Sequence, residues 1–342
     1  MIKDFYFARR AGDFLAINFP KAYDFIHRTI HGITYEDRGE FFLVKMRDGT
    51  KTLRLKENFD FALKLPLDFA SKIFNPKVAA VIHIFYPELA EEIKTFLKNI
   101  PCKVDVFIST VNEDKKISLE KIFRDFDKGN VVIKIFENRG RDIAPAFVGF
   151  REIYQNYELC LHIHSKKSPH ATGRLFGWRE FLYRNLIGNP EIISGIFQVM
   201  LTSDVGILFP QHFAPIRLSI NWGENFLSAE NFLARLGIKI DGEKFLDFPA
   251  GSMFWFKPQA LAPLFESDIA FEDFPQERGQ TDGTLAHALE RSFLYIAEAA
   301  GFSWIKVAVD EKKIGDAPLL KSSNEKELAE NLKKFFKRTC QE

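Results

Sequence analysis

Two short polar blocks hold many of the side chains in this sequence that could bind or move charge. Asn138-Arg139-Gly140-Arg141-Asp142 follows the apolar run 131–136, and His162-Ile163-His164-Ser165-Lys166-Lys167-Ser168 closes the run that starts at Leu159. On an extended strand, residues two apart face the same side, about 6.5 Å from one another. His162 and His164 therefore share a face, with Leu159, Leu161 and Ile163 on the other. Two imidazoles so placed could hold a metal or donate hydrogen bonds to phosphate; a hydrogen-bonded pair closing a strand end is the plainer alternative. Lys166, Lys167, His170 and Arg174 put more cationic groups on the same loop, which suits either a diphosphate or a solvated basic loop.

In the first block, Gly140 permits positive φ or a close backbone approach. Asp142 could cap a helix starting at Ile143, or accept from a ribose or sugar hydroxyl while Arg139 or Arg141 meets phosphate. A third polar stretch, Glu277 to Gly283, ends in Asp282, which could cap the following helix or serve as a general base. His287 and Arg291 lie one turn apart on that helix, facing either a cleft or solvent. Pro249 to Phe256 is a small-residue turn containing Ser252, leading into an aromatic strand; Trp255 could stack on a sugar or fill the core. Trp178-Arg179 and Asn221-Trp222-Gly223 are candidates of the same kind.

These groups need strands and helices to position them. From residue 76 onward the pattern alternates: strands at 78–85, 104–108, 131–136 and 159–164, with helices at 87–98, 119–126 and 143–154 between them. That spacing predicts a parallel sheet with helical crossovers. Further strands are expected at 205–209 and 252–256. A helix is expected over 282–300, where Leu285, Leu289, Phe293 and Ile296 form an apolar stripe. Residues 1–75 have a different rhythm: a helix at 20–30, then two strands flanking Asp48-Gly49, a hairpin signal. The expected organisation is an N-terminal α+β appendage (1–75), an α/β domain (76–310) and a C-terminal amphipathic helix (311–342), with Ser322 and Glu325 as its capping box.

The chain has 342 residues, 46% hydrophobic and 27% charged, as expected of a globular protein, and its 37 Phe require a large core. A net charge of +1 argues against a dedicated nucleic-acid binder. Three widely spaced cysteines form no disulfide or zinc pattern, which points to a reducing, cytoplasmic setting. No apolar run approaches the ~18 residues of a membrane span, and Met1 is followed by charge, so no secretion signal is read.

Together, Asn138 to Pro145, His162 to Ser168, Trp178-Arg179, Ala250 to Phe256 and Gly279 to Arg291, with Val81 to Tyr86 as a looser opening, resemble the rhamnan synthesis F family of bacterial polysaccharide glycosyltransferases. The resemblance spans residues 78–302. It implies transfer of a deoxysugar, typically L-rhamnose, from a nucleotide-diphosphate donor (dTDP-L-rhamnose-like) to a lipid-linked or polysaccharide acceptor. It also implies a GT-A-like, Rossmann-type, mostly parallel sheet flanked by helices. In that fold an Asp-x-Asp motif usually holds a divalent metal, and it is expected after Leu161. Here His162-Ile163-His164 takes the place, which argues against ordinary magnesium or manganese use, because those ions prefer oxygen ligands.

On this reading Lys166 and Lys167 take over part of the metal's work, and Asp282 is the base of an inverting displacement. Nucleotide and diphosphate would be held by His83, Tyr86, Asn138, Arg139, Gly140, Arg141, Asp142, His162 and His164. Trp178, Arg179, Ser252, Trp255, His287 and Arg291 would meet the sugar or acceptor. The competing readings are a hydrolase with metal on His162, His164 and His83, and an inactive sugar- or partner-binding member of the fold. The basic, amphipathic tail helix could touch the inner face of an anionic membrane or dock on the protein's own core.

Overall fold

Apart from Thr29, the computed structural model describes residues 32–47, 49–166 and 175–339. The helix expected at 20–30 lies outside them, as do Lys167, Ser168, His170 and Arg174.

Two sheets form. Strands β1 (Thr34–Arg38), β2 (Phe41–Lys45) and β3 (Lys51–Leu55) make an antiparallel meander; Asp48, of the expected hairpin signal between β2 and β3, lies outside the described residues. The large sheet contains β4 (Ala62–Lys64), β5 (Val78–His83), β6 (Val104–Thr110), β7 (Val131–Ile135), β8 (Leu159–His164), β9 (Val205–Pro210), β10 (Phe254–Phe256), β11 (Ser303–Ala308) and β12 (Leu319–Leu320). Its order is β12-β4-β11-β9-β10-β8-β5-β6-β7. Strand β10 runs antiparallel to both neighbours, and the other pairings are parallel. The helices are α1 (Ala90–Leu97), α2 (Glu113–Phe123), α3 (Trp178–Ile187), α4 (Pro190–Thr202), α5 (Phe226–Arg235), α6 (Ala262–Phe265), α7 (Leu285–Ala299) and α8 (Glu325–Thr339).

The central strands read as continuous apolar runs because both of their faces are covered. Val78, Ala80, Ile82, Leu161 and Ile163 pack on one side with α1, α3 and α4. Ala79, Val81 and Cys160 pack on the other against a pile of aromatic rings around Phe147. Phe147 touches Phe254, Phe256, Phe265 and Phe293 with ring centroids 4.8–6.4 Å apart. Much of the chain's phenylalanine is spent on this second layer, and truncating Phe147 to Ala would cost about 3–5 kcal/mol.

Several expectations are corrected. The sheet does not divide at residue 75, because β4 pairs with β11 and β12 and belongs to the large sheet. Helix α2 starts earlier than read, since the Asn112 side chain accepts from Lys115 N at 3.0 Å and caps it there. The 143–154 segment is helical but irregular: a π-turn over Pro145–Gly149 is followed by a 3-10 stretch over Arg151–Asn156. Helix α7 begins at Leu285, capped by Thr284, so Asp282 stands outside it and is not its N-cap. The cap of α8 is Asn324, which accepts from Glu327 N at 2.9 Å, while Glu327 accepts from Ser323. The apolar stripe of the tail helix docks on the core. Leu328, Leu332 and Phe335 are buried, Phe335 lies 4.7 Å from the Phe61 ring, and Lys333 and Lys334 face outward.

Candidate functional site

The half-sheet order β8-β5-β6-β7 contains a reversal. The chain steps outward from β5 to β6 to β7, then returns to place β8 on the other side of β5. Ligands of open α/β sheets bind beyond the carboxyl ends of the strands at such a reversal. His83 ends β5 and is paired with His164 at the end of β8, and Ser109 of β6 is paired with His83. The two histidines line a cavity of about 930 Å³, toward the upper end of the usual ligand-pocket range.

The floor is a set of buried histidines around one carboxylate. Asp142 Oδ2 meets His162 Nε2 at 3.1 Å, and His162 Nδ1 meets Val81 O at 3.2 Å. Both ring nitrogens of His162 are thus engaged within the protein. Burial opposes ionisation of Asp142, but His164 and the hydrogen bond from His162 outweigh it and hold its carboxyl well below the usual range. His164 Nε2 donates to Gly251 O at 2.9 Å, and His83 Nδ1 lies 2.9 Å from Ser109 Oγ. Burial pulls His83 and His164 down to about 4, so both are neutral imidazoles near pH 7. Lys166 is the cation of this wall. Its Nζ stands 4.2 Å from the centre of the Trp178 ring; burial lowers its pKa, while Glu290 and Asp142 pull the other way. Ser165 ties the two strand ends together, its Oγ accepting from Phe85 N at 2.9 Å and Tyr86 N at 3.0 Å.

The same cavity is lined by Asp282. Asn225 Nδ2 donates to its Oδ1 at 2.6 Å, Glu224 N donates to its Oδ2 at 3.3 Å, and Arg291 stands 3.8 Å away. Burial would raise the carboxyl, but Arg291 and these donors together hold it below its ordinary value. Arg291 is itself fixed by Asn221 O at 2.9 Å and His287 O at 3.0 Å. His287 Nδ1 lies 2.8 Å from Thr284 Oγ1, and burial together with Arg141 pulls the ring down to about 4. Two non-glycine residues of the cavity lining sit in the left-handed region, Arg141 (φ 56°) and Ser252 (φ 54°). Such strain persists only where contacts enforce it: Arg141 donates to Gln280 O, and Ser252 Oγ donates to Glu290 Oε1 at 3.0 Å.

His83, Tyr86, Asn138, Arg141, Asp142, His164, Lys166, Trp178, Ser252, Asp282, His287 and Arg291 all line this one cavity. The other expected residues stand elsewhere. His162 is fully buried behind Asp142 and faces Phe147 and Phe254. Trp255 lies in the core, its Nε1 donating to Leu186 O at 3.0 Å. Arg139 turns away to Phe274 O at 3.0 Å. Arg179 braces the basic loop from outside, donating to Lys166 O at 3.3 Å and pairing with Glu92 at 3.1 Å. Gly140 is needed for packing: at φ 61°, a Cβ there would run 2.5 Å from Ala144 Cβ. Lys167 falls outside the described residues.

Sequence reading passed over Glu290, whose Oε1 accepts from Gly251 N at 2.8 Å, and Asn225, which anchors Asp282. Glu290 was legible as the neighbour of Arg291 on the helix face of His287. In the Asn221-Trp222-Gly223 stretch the contact with the site is the Asn221 backbone carbonyl, which accepts from Arg291, because Trp222 is buried and stacked on Tyr295 at 6.0 Å. Glu277 also lines the cavity, 3.6 Å from Arg141, with burial raising its carboxyl. Among the described residues no group of three or more His, Cys, Asp or Glu is placed to hold a metal ion, and His162 has both ring nitrogens committed.

A sequence profile described as rhamnan synthesis protein F matches residues 51–302, from β3 through α7. The chain belongs to the rhamnan synthesis protein F family. The match opens at β3, ahead of the alternating α/β pattern. Relatives include the uncharacterized protein WxcX of two strains of Xanthomonas campestris pv. campestris, each 31% identical over 258 residues. These alignments take in 74% of this chain and 36% of the relative, so the chain spans little more than a third of the relatives' length. Among solved structures, 4-diphosphocytidyl-2C-methyl-D-erythritol synthase from Anaerococcus prevotii aligns with 74% of this chain and 93% of its own, at 11% identity and a TM-score of 0.36. Membership of the family links the protein to polysaccharide synthesis. Among the described residues no helix is long and apolar enough to cross a membrane.

Proposed function

We propose that this protein is a GT-A-like glycosyltransferase that moves a sugar, L-rhamnose or another deoxysugar, from a nucleotide-diphosphate donor to a growing cell-surface polysaccharide with inversion. The observation that carries this reading is the cavity at the β5/β8 reversal, whose one lining holds Lys166, neutral histidines and the ionised Asp282. Lys166 and Arg141 offer donors that a diphosphate needs, and on this reading Asn138 and Asp142, also in the lining, hold the ribose. Asp282 takes the proton of the acceptor hydroxyl, its oxygen attacks the anomeric carbon, and the bond to phosphate breaks. The electron pair leaves with the nucleoside diphosphate, stabilised by Lys166. One carboxylate base and one displacement give inversion.

The test is transfer by the purified protein across a panel of sugar nucleotides, with Asp282→Asn alongside. That substitution is expected to lower transfer by about 10²–10⁴-fold while leaving the fold intact. Transfer at near wild-type rate by the variant would remove Asp282 from the role. The pH profile separates it from Glu277. With Asp282 as base, the acid limb lies below the ordinary Asp value of 3.8, whereas Glu277, raised by burial, would bring it above 4.5.

A further inference from the structure

The cavity lining is chemically divided. The strand ends and the surroundings of Asp282 carry its charged groups, with Ile143, Phe248 and Ala286 among them, whereas Ile33, Met46, Ile216, Leu218 and Ile220 supply apolar lining that bears no charge. Ile33 precedes β1 and Met46 follows β2, so part of that lining comes from the N-terminal meander. The meander is pinned in place: Leu246 N donates to Leu53 O at 3.1 Å, Arg54 donates to Arg217 O at 2.9 Å, and Lys51 pairs with Glu243. Arg217 lies within the 214–219 turn that supplies Ile216 and Leu218. The chain then runs directly to Asn221 and Asn225, which fix Arg291 and Asp282. Asp282 therefore stands where the polar and apolar lining meet.

A diphosphate gains nothing from such a wall and would lose hydration against it. We infer that, on the transferase reading above, the N-terminal meander and the 216–220 segment build the acceptor side of the cavity, and that the acceptor brings an aliphatic group to it. The group is an alkyl chain carried by the acceptor sugar or the methyl group of a deoxysugar. Its placement aims the adjacent hydroxyl at Asp282.

Direct calorimetric titration tests this without turnover. One arm uses methyl, butyl and hexyl glycosides of a single hexose; the other compares a methyl hexoside with its 6-deoxy counterpart. Affinity is expected to rise about threefold per buried methylene in the first arm, or severalfold on loss of the 6-hydroxyl in the second. Met46→Gln with Leu218→Gln should abolish the gain. Met46→Gln alone, at a half-buried position, should reduce it in protein whose melting temperature is unchanged. Affinity that is flat in both arms, or a gain that survives the double variant, overturns the inference. The sugar-nucleotide transfer assay reads the other claim separately: aliphatic-dependent binding with no transfer from any donor would fault the transferase reading and leave the wall assigned.

Discussion

The protein buries two clusters of charge in one sheet, and they are built for different ends. Beside β11, Lys306 lies between Asp60 and Asp247; Arg217 answers Asp60 at 2.8 Å and His212 answers Asp247 at 2.7 Å. Each charge there has its opposite within the protein, and both carboxyls are held low by Lys306 against the cost of burial. At the ends of β5 and β8, by contrast, only Asp142 and His162 are closed on each other, while His83, His164 and Lys166 border the cavity. A self-satisfied network fixes geometry. One left partly open at a strand reversal costs desolvation that a ligand can recover.

Four measurements would break or sharpen this contrast. The largest effect is expected in the closed cluster. Lys306→Met takes away the cation shared by two buried carboxylates, leaving Asp60 to Arg217 and Asp247 to His212, and should cost about 3–5 kcal/mol in denaturant unfolding, with nucleoside diphosphate affinity of the folded fraction unchanged. In the open cluster the pattern should invert. Lys166→Met is expected to weaken binding of nucleoside diphosphate about tenfold by titration, with little change in unfolding. A Lys166 variant that unfolds while a Lys306 variant merely loses ligand would refute the division.

The third is pH. His83, His164 and His287 are held near 4, against an ordinary value of 6.5. As pH falls below 6.5 the unfolded chain takes up protons that the buried rings refuse, so stability falls between pH 6.5 and about 4. The depressed Asp142 keeps its contribution throughout that window, since a carboxyl of lowered pKa loses it only below its ordinary 3.8. A melting temperature constant from pH 7 to 4.5 would contradict the assignment of these rings as neutral. The smallest effect is expected from Ser165→Ala, which removes the acceptor of Phe85 N and Tyr86 N and should cost about 1–2 kcal/mol.

The parallel strands were legible because burial on both faces leaves unbroken apolar runs, and His83, His164 and Lys166 could be placed at their ends by counting. What periodicity could not convey was depth. His162 and His164 do share a face, but the residue nearer the strand end meets the cavity while the inner one sits among phenylalanines. Trp255 was ambiguous for the same reason. Short elements were the other blind spot: β4 has three residues and β12 two, too few for any alternation to register, yet they extend the sheet beyond β11. Asn225, just ahead of α5, was missed because an amide there gives no signal until Asp282 is brought against it from another segment.

The membership of β4 in the large sheet bears on how the protein can be cut. A fragment starting at residue 76 would bare the backbone of β11 along the edge that β4 covers, and would strip β12 of its only partner strand among the described residues. It would also remove Asp60 and leave Lys306 short of a counterion. Such a fragment presents an uncapped strand to its neighbours, the usual route to aggregates. The smallest excisable unit therefore has to begin upstream of Asp60, whatever else the first residues do.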